Sequence, residues 1–272
     1  RNGQSSRRDA PASPARHGRT PYLWHQSMPT LGTALTPEQL HKGSCWTLSA
    51  DVQGYARSHG SGLATQACAG RGFRVLDHPA PSTQRIRTVL IEDGYPCWMA
   101  IDDLNSQAVA RAEWSPRLLD ATHIQKRLPL VLRWLKDAAQ IPNTYLWGGT
   151  IGPDLDCSGL VQTAFASQSI WLPRDAYQQE RFCSPVAVRP GNDQLLRPGD
   201  LLFFGTAQRC THVAIHLAQG RYMHSSGQEH GRNGIGIDSI HPSDQNPVAC
   251  HYRSELRGAG RVMRCHDGST LP

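Results

Sequence analysis

Three side chains in the second half of the chain have the types needed for nucleophilic cleavage of an amide. Cys157 stands at the head of an apolar run in which Leu160, Val161, Ala164 and Phe165 recur at helical spacing. Before it, Gly148, Gly149 and Gly152 let the backbone turn sharply. Asp156 or Ser158 offers a side chain that caps a helix start. Cys157 is therefore predicted in the first turn of a helix, where the aligned peptide dipoles favour thiolate over thiol. A thiolate nucleophile needs an imidazole to move protons and a polar group to orient that imidazole. Two histidines follow in strand-like surroundings, His212 within residues 211–215 and His224 within residues 222–227. On a strand, His212, Ala214 and His216 share one face, and the small Ala214 leaves room for substrate. We read Cys157 as nucleophile, His212 as general base and then acid, and His224 on a neighbouring strand as the orienting group.

The elements that must position these residues can be read around them. An apolar face of Ile124, Leu128, Val131, Leu132, Leu135 and Ala138 predicts a helix from Ala121, with Pro129 as a kink or as its true first turn. Residues 172–179 read as a loop entering a second helix. The turn Arg197-Pro198-Gly199-Asp200 leads into a buried strand over residues 201–205, and Gln219-Gly220 marks the hairpin between the two histidine strands. Further strands are expected from Gly234 to Ile240 and near Gly260. Upstream, short strand patterns at residues 46–52, 73–76, 86–91 and 97–101 are separated by turns, which suggests a small β-barrel. Strands first, then helices on an antiparallel sheet, make this an α+β chain. The expected organisation is a disordered tail over 1–40, a β-domain over 41–105, a connector and helix over 106–141, and a catalytic domain over 142–272.

Six pieces in order, YLWGG, DCSGLVQ, LPRDAYQQ, RPGDLLFF, HVAIHL and HSSG, resemble the NlpC/P60 family of cysteine peptidases, over roughly residues 142–239. The stretch EDGYPCW resembles bacterial SH3-like domains, which family members of cyanobacterial type carry in front of their papain-like catalytic domain. The resemblance implies a γ-D-glutamyl-L-diamino acid endopeptidase acting on murein-derived peptides with a free N-terminal L-alanine. It also implies substrate-binding roles. Tyr95 overhangs the site and meets the amino end of the substrate. Asp156 pairs with that free amine, with Ser158 beside it, unless either residue is simply the helix cap. Tyr145 bonds the substrate or lines the oxyanion position. Arg174 meets a substrate carboxylate or forms a surface salt bridge to Asp175. Related enzymes carry a serine where this chain has Ala176, which leaves one substrate contact without its donor. Amidase or acyl-transfer chemistry by the same thiol on a non-murein substrate is the alternative, and a non-catalytic wall-binding protein is a third reading.

Composition narrows the field further. The chain has 272 residues and a formal net charge of +6. Much of that charge lies in the first 20 residues, where Arg1, Arg7, Arg8, Arg16 and Arg19 face Asp9 alone. No basic stripe with interleaved aromatics marks a nucleic-acid surface, and no apolar run is long enough to cross a membrane. The eight cysteines are scattered without zinc-type spacing. Reduced thiols, a cytoplasmic location, and neither metal nor cofactor are expected. Met28 offers an alternative start, which would make the residues before it a leader without structural purpose. Oligomeric state is not readable from the sequence.

Overall fold

The computed structural model of the protein describes residues 29–79, 83–112 and 114–269. The tail over residues 1–28 and the alternative start at Met28 lie outside the described residues.

The first unit is a seven-stranded antiparallel sheet built from β1 (Cys45–Leu48), β2 (Val52–Tyr55), β3 (Leu63–Ala67), β4 (Gly72–Val75), β5 (Arg85–Leu90), β6 (Tyr95–Ala100) and β7 (Ala108–Ala110), with the short α1 (Ile101–Leu104) between the last two strands. The strand order is β3-β2-β6-β5-β4-β1-β7. The expected small barrel is thus an open sheet among the described residues, with β3 and β7 at its ends. In β5 the exposed Arg87 stands between buried Ile86 and Thr88, as period-2 side-chain direction requires. Trp46, Phe73, Ile86, Leu90 and Met99 fill the core. Two boundaries differ from the sequence expectation. Leu35 and Leu40 are fully buried in this core, and Ala34 bridges Val109, so residues 34–40 belong to the sheet domain rather than to a tail. The strand β7, expected in the connector, pairs with β1.

The second unit opens with α2 (Ala121–Ala138), capped by Asp120, whose carboxylate accepts from the His123 N–H. Ile124, Leu128, Val131 and Leu135 face inward, while Pro129 sits mid-helix on the exposed side. Then come α3 (Cys157–Ala166), α4 (Ala176–Phe182), β8 (Ser184–Val186), β9 (Leu201–Gly205), β10 (Cys210–Ala218), β11 (Arg221–Ser226), β12 (Gly234–Ser239), α5 (Pro247–Ser254) and β13 (Leu256–Arg261). The strands form a six-stranded sheet in the order β12-β11-β10-β9-β13-β8. Both of its faces are covered. Leu201, Phe203, Val213, Ile215 and Met223 pack with residues of α2 and α3 on one side. Leu202, Phe204, Ala214 and Tyr222 pack with Val248 and Tyr252 of α5 on the other. The alternation along β9 serves the two layers. Ala214 lies in this second layer, so its small side chain accommodates packing beneath α5 rather than substrate.

The two units meet through buried polar contacts. Gln66 of β3 accepts through Oε1 from the N–H groups of Thr150 and Ile151, both at 3.0 Å. The Gln162 amide on α3 donates to Asp93 at 2.8 Å. Each group buried in this way has a partner, so separating the units would leave several of them unmatched.

Candidate active site

Cys157 is the first residue of α3, as its surroundings predict, and Asp156 is the cap. The Asp156 carboxylate accepts from the Gly159 N–H at 2.7 Å and from the Gly148 N–H at 2.8 Å. It also takes both arms of a guanidinium: Arg174 Nη1 donates to Oδ1 at 3.0 Å and Nη2 to Oδ2 at 2.6 Å. Arg174 Nη1 donates to the Ser158 hydroxyl at 2.9 Å, and Nε donates to Thr65 of β3 at 3.2 Å. Arg174 is only 1% exposed. The expectations for Asp156 and Arg174 therefore need correction. Asp156 has its oxygens committed to Arg174, the Ser158 hydroxyl and two backbone donors, so these contacts give it the role of framing the helix start. Arg174 forms neither a surface salt bridge to Asp175 nor a free anion site; it neutralises the buried cap and ties it to the first sheet. Ser158 is engaged in the same cluster.

Gly159 permits this arrangement. A Cβ there would stand 2.0 Å from the Gly149 carbonyl oxygen, so only glycine lets the segment before the helix lie against its first turn.

Above this frame lies a cavity of about 710 Å³. Cys157, His212, Tyr145 and Tyr252 line it from the second unit, and Leu63 and Tyr95 from the first. His212 and His224 come together as the sequence reading requires, on adjacent strands, with His212 Nε2 2.8 Å from His224 Nδ1. The chain of contacts continues further. His224 Nε2 is 2.7 Å from Asp238 Oδ2, and Arg232 Nη2 donates to both Asp238 oxygens at 2.7 Å. A carboxylate only accepts, so His224 donates from Nε2 and must accept at Nδ1. His212 then donates from Nε2, which leaves its Nδ1 lone pair as the basic position. The relay fixes the tautomers of both rings.

Tyr252 of α5 stacks on His212 with ring centroids 4.2 Å apart and planes inclined by 25°. Burial, then the neighbouring His224, His230 and His251, hold His212 well below the usual imidazole pKa. Burial also lowers His224, although Asp238 pulls the other way. Burial, reinforced by the charge of Asp156, pushes the Cys157 thiol up to about 12, while a backbone hydrogen bond from Val213 and the charge of Arg174 work in the opposite direction. Desolvation at the head of this buried helix thus works against the dipole that favours the thiolate. Both shifts favour the uncharged forms, a thiol and a neutral imidazole.

Tyr95 opens β6 and reaches across the domain boundary, its hydroxyl donating to Asp175 Oδ1 at 3.5 Å. Burial first, then the nearby Asp156, raises the Asp175 carboxyl, while Arg174, the Tyr95 hydrogen bond and Arg209 lower it. The cavity carboxylate beside Tyr95 is therefore Asp175. Its position immediately after Arg174 was the available signal, but the sequence reading weighed Asp175 only as a surface partner of Arg174. Asp238 and Tyr252 were also missed. Asp238 gave little sign, being a lone acid on a strand of glycines and isoleucines. Tyr252 was findable, because Asn246-Pro247 is a helix start of cap followed by proline, and the helix it opens carries the tyrosine.

Known proteins match the same two regions. The NlpC/P60 family model matches residues 142–253, and the model for a bacterial dipeptidyl-peptidase SH3 domain matches residues 54–104. A gamma-D-glutamyl-L-lysine dipeptidyl-peptidase of Bacillus cereus is 39% identical over 88 residues, covering 31% of this chain and 25% of that protein. Dipeptidyl-peptidase 6 of Lysinibacillus sphaericus is 33% identical over 116 residues, covering 43% of this chain and 36% of that protein. This chain thus spans well under half the length of either relative. A crystal structure of an NlpC/P60 family protein from Bacillus cereus is 21% identical, covering 82% of this chain and 64% of that one, with a TM-score of 0.42. One model covers the part that holds Cys157, His212 and His224, and the other covers the sheet that supplies Tyr95, so the chain carries an NlpC/P60 domain with an SH3-type domain in front of it.

Proposed function

We propose that the protein is a cysteine peptidase that hydrolyses the bond between the γ-carboxyl of D-glutamate and an L-diamino acid in murein peptides whose N-terminal L-alanine is free. The observation that carries this reading is the shared cavity. It holds Cys157 and the His212 relay, and the first domain lines it with Tyr95 against the Asp175 carboxylate. A cavity walled in this way favours short peptides entering by a cationic amino end. The name of the Bacillus cereus relative supports a γ-D-glutamyl bond to a diamino acid, and both that name and the Lysinibacillus sphaericus relative's support a dipeptidyl mode of cutting.

In this mechanism His212 Nδ1 takes the thiol proton as Cys157 Sγ attacks the γ-carbonyl carbon. The backbone N–H of Cys157, at the start of α3, and the Tyr145 hydroxyl meet the oxyanion. The carbon–nitrogen bond breaks as His212 returns the proton to the leaving amine. A water deprotonated by His212 then cleaves the thioester and restores the thiol. His224, held by Asp238, keeps His212 in the reactive tautomer and stabilises its imidazolium. Requirement for a free amine suits peptide fragments, and we place the activity in cell-wall turnover or recycling, in the cytoplasm.

The test is incubation of L-Ala-γ-D-Glu-meso-diaminopimelate with the protein and with Cys157→Ala, followed by mass spectrometry. Release of L-Ala-D-Glu by the parent alone is expected. Absence of turnover by the parent would overturn the reading.

A further inference from the structure

Two arginines line the cavity, and they differ in what holds them. Arg174 is buried in its cluster with Asp156, Ser158 and Thr65. Arg209 is exposed in the turn between β9 and β10, and its guanidinium stacks on the Tyr177 ring, 4.8 Å from the centroid. The turn is shaped to hold it there. The Arg209 N–H donates to Thr206 Oγ1 at 3.2 Å. Gly205 adopts φ +143°, and a Cβ on it would lie 2.4 Å from the Arg209 carbonyl oxygen. Tyr177, beneath the guanidinium, lies in the first turn of α4, which Asp175 caps. One flank of the cavity therefore carries an anion, Asp175, beside Tyr95, and a cation, Arg209, next to it. Ala176, between Asp175 and Tyr177, adds no polar group.

A substrate cut at the γ-carboxyl of glutamate keeps its α-carboxylate free. In the amino-terminal dipeptide that carboxylate sits on the residue after the one bearing the ammonium. The order of charges on such a dipeptide, cation then anion, matches the pairing of Asp175 and Arg209 on the wall. We propose that Arg209 binds the free α-carboxylate of the γ-linked D-glutamyl residue, so that the cavity reads its acyl-side dipeptide as a zwitterion. The inference rests on the hydrolase reading above and specifies its substrate: peptides with unamidated D-glutamate. The face of the Arg209 guanidinium lies on Tyr177, and the edge of a guanidinium is the part that engages a carboxylate in paired hydrogen bonds.

The test compares two peptides, L-Ala-γ-D-Glu-L-Lys and its α-carboxamide counterpart with D-isoglutamine. The parent is expected to favour the carboxylate peptide by about tenfold or more in kcat/KM, because the amide leaves a cation unmatched. Arg209→Gln should bring the ratio close to unity, and Arg209→Lys should keep part of it. Circular dichroism and thermal melting of each variant check that the fold is retained. Equal turnover of both peptides by the parent, or a ratio unchanged in Arg209→Gln, would sink the proposal while leaving the hydrolase reading intact. No turnover of either peptide overturns the hydrolase reading, and this inference with it.

Discussion

Burial shifts Cys157 and His212 toward their uncharged forms, and that has consequences for pH. A thiol pushed up to about 12 presents little thiolate near neutrality. Alkylation of Cys157 by iodoacetamide, followed on its own peptide by mass spectrometry, should accelerate roughly tenfold per pH unit from pH 7 to 10. Fast labelling that is flat with pH would show a preformed ion pair instead. His212 must be neutral to act as base, and its pKa is held below the ordinary value. The acid limb of kcat/KM should then fall below about pH 6.5, the reference imidazole value. Stability follows the same sign: below that reference the unfolded chain takes up a proton that folded His212 refuses, so stability declines as pH falls through the window. Asp238, bonded to His224 at 2.7 Å, fixes the tautomers. Asp238→Asn should lower kcat by roughly 10²–10⁴-fold, as expected when a base is held in the wrong tautomer. KM should change little, and a KM effect alone would count against the relay.

At the scale of elements, the head of α3 is where the site is assembled. Asp156 joins the helix start, the segment before it, the loop leading to α4 and, through Arg174, the first sheet. Breaking a buried pair strands the remaining charge, which typically costs about 3–5 kcal/mol. Asp156→Asn should lose about that much stability in denaturant unfolding, with activity falling alongside. A loss under 1 kcal/mol would mean that Arg174 finds another partner. These elements also show how far the sequence reading reached. The helical spacing of Leu160, Val161, Ala164 and Phe165 and the alternation around His212 specify α3 and β10, because periodicity is a local signal. The strand pairing that puts His224 behind His212 was legible through the hairpin at Gln219-Gly220. What the sequence hid was the choice of partner for each charge. Arg174 has Asp156, Asp175 and solvent within reach of its pattern, and only the packed structure decides among them. The burial that opposes the thiolate was hidden for the same reason: the position of Cys157 at a helix start is local, but its burial is not.

At the scale of the whole molecule, the SH3-type domain walls the same cavity as Cys157 and His212. It contributes Leu63 and Tyr95 to the cavity wall, and it is held by Gln66, Asp93 and Thr65 against the second unit. A wall built across a domain boundary makes substrate length a property of domain docking. Under the proposed function, the Tyr95 hydroxyl and the Asp175 carboxylate, in contact at 3.5 Å, form the stop at which an amino-terminal ammonium is recognised. If so, acetylating the L-alanine of the tripeptide removes the charge and adds bulk at the closed end. The parent should cleave the free peptide at least about a hundredfold faster, since a desolvated charge pair of this kind is worth about 2–5 kcal/mol. Asp175→Asn should shrink that preference to within about tenfold, because an amide no longer distinguishes an ammonium from a neutral group by charge. The Asp175 carboxyl is raised by burial. It therefore protonates at a higher pH than an ordinary carboxylate, and KM for the free peptide should rise as pH falls through that shifted range, an effect absent in Asp175→Asn. Steady-state kinetics on the two peptides at a series of pH values measures both effects. An acetylated peptide cleaved as fast as the free one would show that this end of the cavity is open, and that the front domain holds the fold together without selecting the substrate.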